Sequence, residues 1–103
     1  MNFEEQLIIC DLIKSPSCTI KMLVEYSNSP EWALRYKVGR HPNCPFYILD
    51  KLSNDENYWV RSGVASNSNC PVSILDKLSN DENYYVRVGV ANNPNCPFYI
   101  LDK

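Results

Sequence analysis

The chain has a single histidine and no surplus of positive charge, with ten lysines and arginines against twelve acidic residues and a formal net charge of −2. One histidine leaves little material for acid–base or nucleophile–base pairs. Without a basic excess there is no bulk attraction to phosphate backbones or anionic lipid, so a nucleic-acid role would need a local basic stripe. The sequence also lacks G-x-x-x-x-G-K-[ST], G-x-G-x-x-G and H-E-x-x-H, the patterns that cradle phosphates or hold a catalytic zinc. No apolar run reaches the roughly 18 residues that a membrane span requires. The opening MNFEEQLIICDLIK is acidic where a secretory leader is positively charged. A cytoplasmic protein with no membrane partner, no cofactor, no metal and no enzyme activity is expected.

What the chain does have is self-similarity. Residues 44–69 (CPFYILDKLSNDENYWVRSGVASNSN) and 70–95 (CPVSILDKLSNDENYYVRVGVANNPN) are identical at 20 of 26 positions. Residues 18–43 are a diverged copy that keeps the leading cysteine, the apolar pair Met22 and Leu23, and Arg35, while residues 96–103 open a partial repeat. Ahead of the array, Phe3, Leu7, Ile8, Leu12 and Ile13 recur at helical spacing, so residues 1–17 are expected to form a capping helix. With 45% hydrophobic and 21% charged residues the composition is that of a folded chain, and residues 1–103 read as a single repeat domain.

Each unit reads as two short helices. Pro45, Pro71 and Pro97 suit the first helical position, where a missing N–H costs nothing, which makes Cys44, Cys70 and Cys96 the expected N-caps. Ile48, Leu49 and Leu52 then share one face, as do Ile74, Leu75 and Leu78. After the run Ser-Asn-Asp-Glu-Asn, the aligned residues Ser29, Asp55 and Asp81 are expected to cap a second helix, which carries Val60 and Val64 in one unit and Val86 and Val90 in the next. Gly63 and Gly89 precede the second valine, where a missing side chain lets helices approach at a propensity cost of about 1 kcal/mol. His41-Pro42-Asn43, Asn67-Ser68-Asn69 and Asn93-Pro94-Asn95 read as closing turns. Helix pairs this short cannot bury an apolar face alone, so the units must stack as an all-α solenoid.

The succession Val86-Arg87, Val90-Ala91, Asn93-Pro94, Pro97 and Leu101, matched one unit earlier by Val60-Arg61, Val64-Ala65, Asn67, Pro71 and Leu75, resembles the leucine-rich repeat variant (LRV) family over residues 15–103. The resemblance implies a right-handed superhelix in which an α-helix alternates with a second, shorter helix that is partly 3₁₀, and it implies no reaction. Thr19 stands in place of a helix-start proline, Gly39 of an alanine and Ser68 of a turn proline. The cysteine cluster that the family's founding member carries ahead of its array for an iron–sulfur centre is reduced here to Cys10 and Cys18.

Three ladders of side chains bear on function. Cys18, Cys44, Cys70 and Cys96 recur at an interval of 26. Stacked helices lie roughly 8–10 Å apart, too far for a disulfide, which needs Cα atoms within about 7 Å, or for a shared zinc ion. Small buried residues are therefore expected, and a redox or metal role is the weakest functional reading. Arg35, Arg61 and Arg87 recur once per unit. They either read phosphates or carboxylates on a partner or pair within the array, with Asp50, Asp76 and Asp102 or with Asp55 and Asp81. Trp32, Tyr58, Trp59, Tyr84 and Tyr85 open the second helices, and Phe46, Tyr47, Phe98 and Tyr99 the first. Consecutive helical residues diverge by about 100°, so one of each adjacent aromatic pair must be at least partly exposed. The expected function is a non-catalytic module that presents Arg35, Arg61, Arg87, Trp59 and Tyr85 to a protein partner. The alternative is nucleic-acid binding along the arginine stripe, and self-association through the open end of the last unit is a further expectation.

Overall fold

Proline sets the start of each unit, one position ahead of its usual place at the first helical residue. In the computed structural model, which describes residues 2, 4, 5 and 18–101, Pro45 and Pro71 are N-caps with extended backbone, ψ 159° and 151°. The Pro45 carbonyl accepts from the N–H groups of Ile48 and Leu49, both at 3.1 Å. The cysteines therefore do not cap. Cys44 and Cys70 precede the cap, buried in the core that also holds Leu49 and Leu75, the relation of residues in a hydrophobic staple. The capping helix expected over 1–17 lies, but for residues 2, 4 and 5, outside the described residues, as do Cys10 and Asp102.

Every regular element among the described residues is an α-helix: α1 (Ile20–Ser27), α2 (Trp32–Arg40), α3 (Phe46–Leu52), α4 (Tyr58–Ala65), α5 (Val72–Leu78), α6 (Tyr84–Ala91) and α7 (Phe98–Leu101). Where a second, shorter and partly 3₁₀ helix is expected, α4 and α6 are α-helical throughout and, at eight residues, longer than the seven of α3 and α5. Their valines give the reason. Val60 and Val64, four residues apart, are both fully buried, and only a period near 3.6 keeps such a pair on one face.

The second helices are capped by Asn57 and Asn83, not by Asp55 and Asp81. The Asn57 Oδ1 accepts from the N–H of Trp59 at 2.8 Å and of Val60 at 3.4 Å, and the Asn83 Oδ1 accepts from Tyr85 N–H at 2.8 Å. The two aspartates stand two residues earlier, where Oδ1 of each accepts from the asparagine N–H at 2.9 Å. That is an Asx turn leading into the cap.

The second helices lie side by side, α2 on α4 and α4 on α6. A Cβ on Gly63 would come within 2.9 Å of Tyr36 Cδ1, and one on Gly89 within 3.1 Å of Ala65 Cβ, so glycine is what permits the approach. Ile48, Leu49, Leu52, Ile74, Leu75, Leu78, Val86 and Val90 are buried as the spacing predicts. Leu101, equivalent to Leu49 and Leu75, is exposed, because no second helix follows it among the described residues.

Two polar ladders fasten each unit to the one before. Asn67, 2% exposed, donates from Nδ2 to the carbonyls of Gly39 at 2.8 Å and His41 at 2.9 Å, while its Oδ1 accepts from Asn69 N–H at 2.8 Å. Asn93 repeats this on Ala65 and Asn67, at 2.6 and 2.7 Å. Helix ends leave their last carbonyls unpaired, and here the following unit satisfies them. His41 holds the same place in the first unit. It is buried, its Nδ1 accepts from Asn43 N–H at 3.0 Å, and its Nε2 has no hydrogen-bond partner among the described residues. In the second ladder Lys77 Nζ donates to Ser53 Oγ at 2.7 Å, and Lys51 donates to Ser27 and Asn28.

Candidate interaction surface

The arginines form a third ladder. Arg35 grips Asp55 with two parallel bonds, Nε to Oδ2 at 2.8 Å and Nη2 to Oδ1 at 3.2 Å, and its Nη1 donates to the Ser29 carbonyl at 2.8 Å. Arg61 repeats the pattern on Asp81 and on the Asp55 carbonyl, at the same distances. In both pairs the side chains are only 13% and 10% exposed. Each of the three nitrogens of both guanidinium groups thus donates inside the chain, and of the aspartates that the sequence offers the partners are Asp55 and Asp81. Such planar two-point pairing is the strong form of an ion pair. Arg87 differs: it is exposed, donates from Nη1 to the Asp81 carbonyl at 2.6 Å, and has no carboxylate partner among the described residues. It lines an open cleft of about 240 Å³ with Ser79, Val90, Ala91, Ile100 and Leu101.

The aromatic side chains of the second helices divide differently. Tyr58 is half-buried against the core, whereas Trp59 is 38%, Tyr85 51% and Tyr84 66% exposed. Tyr85 meets Trp59 and Tyr58 across the α4–α6 seam, with ring centroids 5.1 and 6.1 Å apart, and within each helix the neighbours Tyr58–Trp59 and Tyr84–Tyr85 are 4.9 and 5.7 Å apart. Trp32 and Tyr36 form an edge-on pair on α2, 6.4 Å apart. Trp59 and Tyr85 therefore lie together on the surface, while Arg35 and Arg61 are drawn into the joints between units.

A second exposed row belongs to the first helices. Ile20, Phe46, Val72 and Phe98 occupy equivalent positions and are all exposed, as are Tyr47 and Tyr99. Of these, Ile20 and Val72 are aliphatic and stand outside the aromatic ladder of the sequence. Each stands three residues before a buried leucine, Leu23 or Leu75, so helical spacing gave no signal of their exposure. In the Phe46–Tyr47, Tyr84–Tyr85 and Phe98–Tyr99 pairs both members are exposed, more than the minimum that helical geometry demands.

Cys18, Cys44, Cys70 and Cys96 are free. Burial pushes the Cys44 and Cys70 thiols up to about 12 and raises those of Cys18 and Cys96. A thiolate nucleophile needs the opposite shift. Among the described residues no group of three histidine, cysteine, aspartate or glutamate side chains could hold a metal ion, and no helix is long and apolar enough to cross a membrane. Compared with family models, curated proteins and solved structures, the chain has no match in any of the three.

Proposed function

We propose that the chain is a right-handed α-solenoid of the leucine-rich repeat variant kind that works as a non-catalytic protein-interaction module in the cytoplasm, and that the aromatic row on its second helices is the contact surface. The solenoid reading is supported by recurrence: the same arginine–aspartate, asparagine–carbonyl and lysine–serine contacts appear one unit apart, in a body measuring 42 × 24 × 19 Å. One observation carries the interaction reading. Trp59, Tyr84 and Tyr85 form a contiguous exposed aromatic group although the core beneath them is complete without them. Large apolar groups gathered on a surface mark binding sites, and tryptophan and tyrosine are the usual anchors there. Arg87 is the one arginine of the ladder available to join that surface.

Nucleic-acid binding along an arginine stripe gains nothing from the geometry, because two of its three members are committed to carboxylates. The test is a crosslinking survey with the full chain and its Trp59→Ala/Tyr85→Ala variant, folded by circular dichroism. At least one protein partner is expected with the parent chain and about tenfold less with the variant. The reading fails if no partner depends on these two side chains.

A further inference from the structure

Tyr36 shows how this array treats an aromatic face beside a cation. Lys37 Nζ lies 5.6 Å and the Arg40 guanidinium 5.8 Å from its ring centroid, and Arg40 Nη1 donates to the Tyr36 hydroxyl at 3.1 Å. The first unit thus supplies its own cations. In the next two units the positions of Lys37 and Arg40 hold Gly63 and Ser66, then Gly89 and Asn92. The aromatic surface nevertheless becomes larger there. Among the described residues no lysine or arginine lies over the rings of Tyr58, Trp59, Tyr84 or Tyr85.

The charge in the turns that lead into these rings has one sign. Asp55 and Asp81 are neutralised by Arg35 and Arg61. Glu56 and Glu82, their neighbours in the turns that lead into α4 and α6, are exposed and have no ion pair among the described residues. Two residues after each comes the first aromatic of the helix. An indole or phenol face attracts a cation through its quadrupole, and adjacent carboxylates reinforce that attraction while opposing phosphates.

We infer that the Trp59–Tyr85 cluster takes lysine or arginine side chains of a basic peptide segment, with Glu56 and Glu82 supplying the opposing charge. The inference rests on the reading of the chain as a protein-interaction module and names the chemistry of its partner. A nucleic acid could stack bases on the same rings, but its phosphates would meet carboxylates where they require cations.

The experiment titrates the full chain, as the Trp32→Phe variant so that Trp59 is the sole indole reporter, with a hexa-arginine peptide and with its neutral hexa-citrulline counterpart. Saturable change in Trp59 emission is expected with hexa-arginine, and binding about tenfold weaker with hexa-citrulline. Tyr85→Leu should weaken the arginine peptide about fivefold, and Glu56→Gln/Glu82→Gln about threefold at low salt with little effect at high salt. Equal affinity for the two peptides overturns the inference, as does saturable binding of oligothymidylate alone with an affinity equal to that of hexa-arginine. Should Tyr85→Leu fail to fold, the glutamine pair, which alters only exposed turns, decides: unchanged low-salt affinity overturns the inference. A crosslinked protein partner that is lost with Trp59→Ala/Tyr85→Ala, yet unaffected by excess hexa-arginine, leaves the interaction reading standing and removes the cationic specificity.

Discussion

Replacing Asn67 by alanine should be among the most damaging single changes to this fold, although asparagine in a turn is ordinarily an expendable polar residue. The side chain releases three partners when removed: the Gly39 and His41 carbonyls, at 2.8 and 2.9 Å, and the Asn69 N–H at 2.8 Å. At 2% exposure, water does not reach the site cheaply. Each intramolecular hydrogen bond is worth about 1 kcal/mol net, and each buried group left unpaired costs about 1–3 kcal/mol. With the Gly39 carbonyl orphaned, the His41 carbonyl left only the Cys44 N–H at 3.1 Å and one turn loosened, a loss of about 2–4 kcal/mol is expected, or a fall in Tm of roughly 10–25 °C for a domain of this size. Urea denaturation followed by circular dichroism measures it. Two companions separate hydrogen bonding from lost volume. Asn67→Asp, nearly isosteric, keeps the acceptor for Asn69 but sets a carboxylate oxygen against two carbonyls, and should be at least as harmful as alanine. Asn69→Ala removes one exposed bond to the Pro42 carbonyl and should cost less than about 1 kcal/mol. An Asn67→Ala protein within about 0.5 kcal/mol of the parent, or Asn67→Asp more stable than Asn67→Ala, would refute the reasoning.

Three further outcomes follow from the same contacts. In a double-mutant cycle of Arg61→Met with Asp81→Ala, each single change should cost about 2–3 kcal/mol, with a coupling of about 1–3 kcal/mol because the pair is largely buried; additive single effects would contradict the pairing. Gly63→Ala gains about 1 kcal/mol of helix propensity but places a methyl 2.9 Å from the Tyr36 ring and 3.2 Å from its carbonyl, so overpacking of about 1–3 kcal/mol should leave a net loss, and a higher melting temperature would count against the close approach. The Cys44 and Cys70 thiols keep their protons in the fold up to about 12, whereas the unfolded thiol ionises near 9.0. Their contribution to stability is therefore full below pH 9 and lost as the pH rises from there toward about 12. The denaturation midpoint should fall over that window more steeply than in Cys44→Ala/Cys70→Ala, and parallel curves would dispose of the argument.

Internal repetition made the helices and the core legible in the sequence. Two nearly identical segments must meet the same surroundings, so the positions of Ile48, Leu49, Leu52, Val60 and Val64 could be assigned twice over. Cap positions were less legible. Proline is tolerated both at the first helical residue and at the cap, and Asp55 and Asn57 are both good capping residues, so only backbone geometry separates them. The roles of Arg35 and Arg61 were open because local sequence does not say whether an aspartate 20 residues away is within reach; the stacking of α2 on α4 brings it there. His41, Asn67 and Asn93 read as turn residues, and turn residues they are, but their bonds to the preceding unit depend on the seam between units and have no local signature. The aromatic surface was half legible. Helical geometry demanded some exposure, while contact between Trp59 and Tyr85 required the spacing of two adjacent helices.

The arginine ladder has a direction. At both joints the guanidinium comes from the earlier unit and the carboxylate from the later one, so the unit of residues 44–69 has two unlike ends, as a domino does, whereas the unit before it carries Ser29 in the aspartate's place. A two-fold axis through the cleft beside α6 would set Arg87 of one molecule against Arg87 of the other, like charge on like. A head-to-tail joint would set Arg87 against Ser29, which carries no charge, so neither arrangement reproduces the arginine–aspartate joint that links the units within the chain.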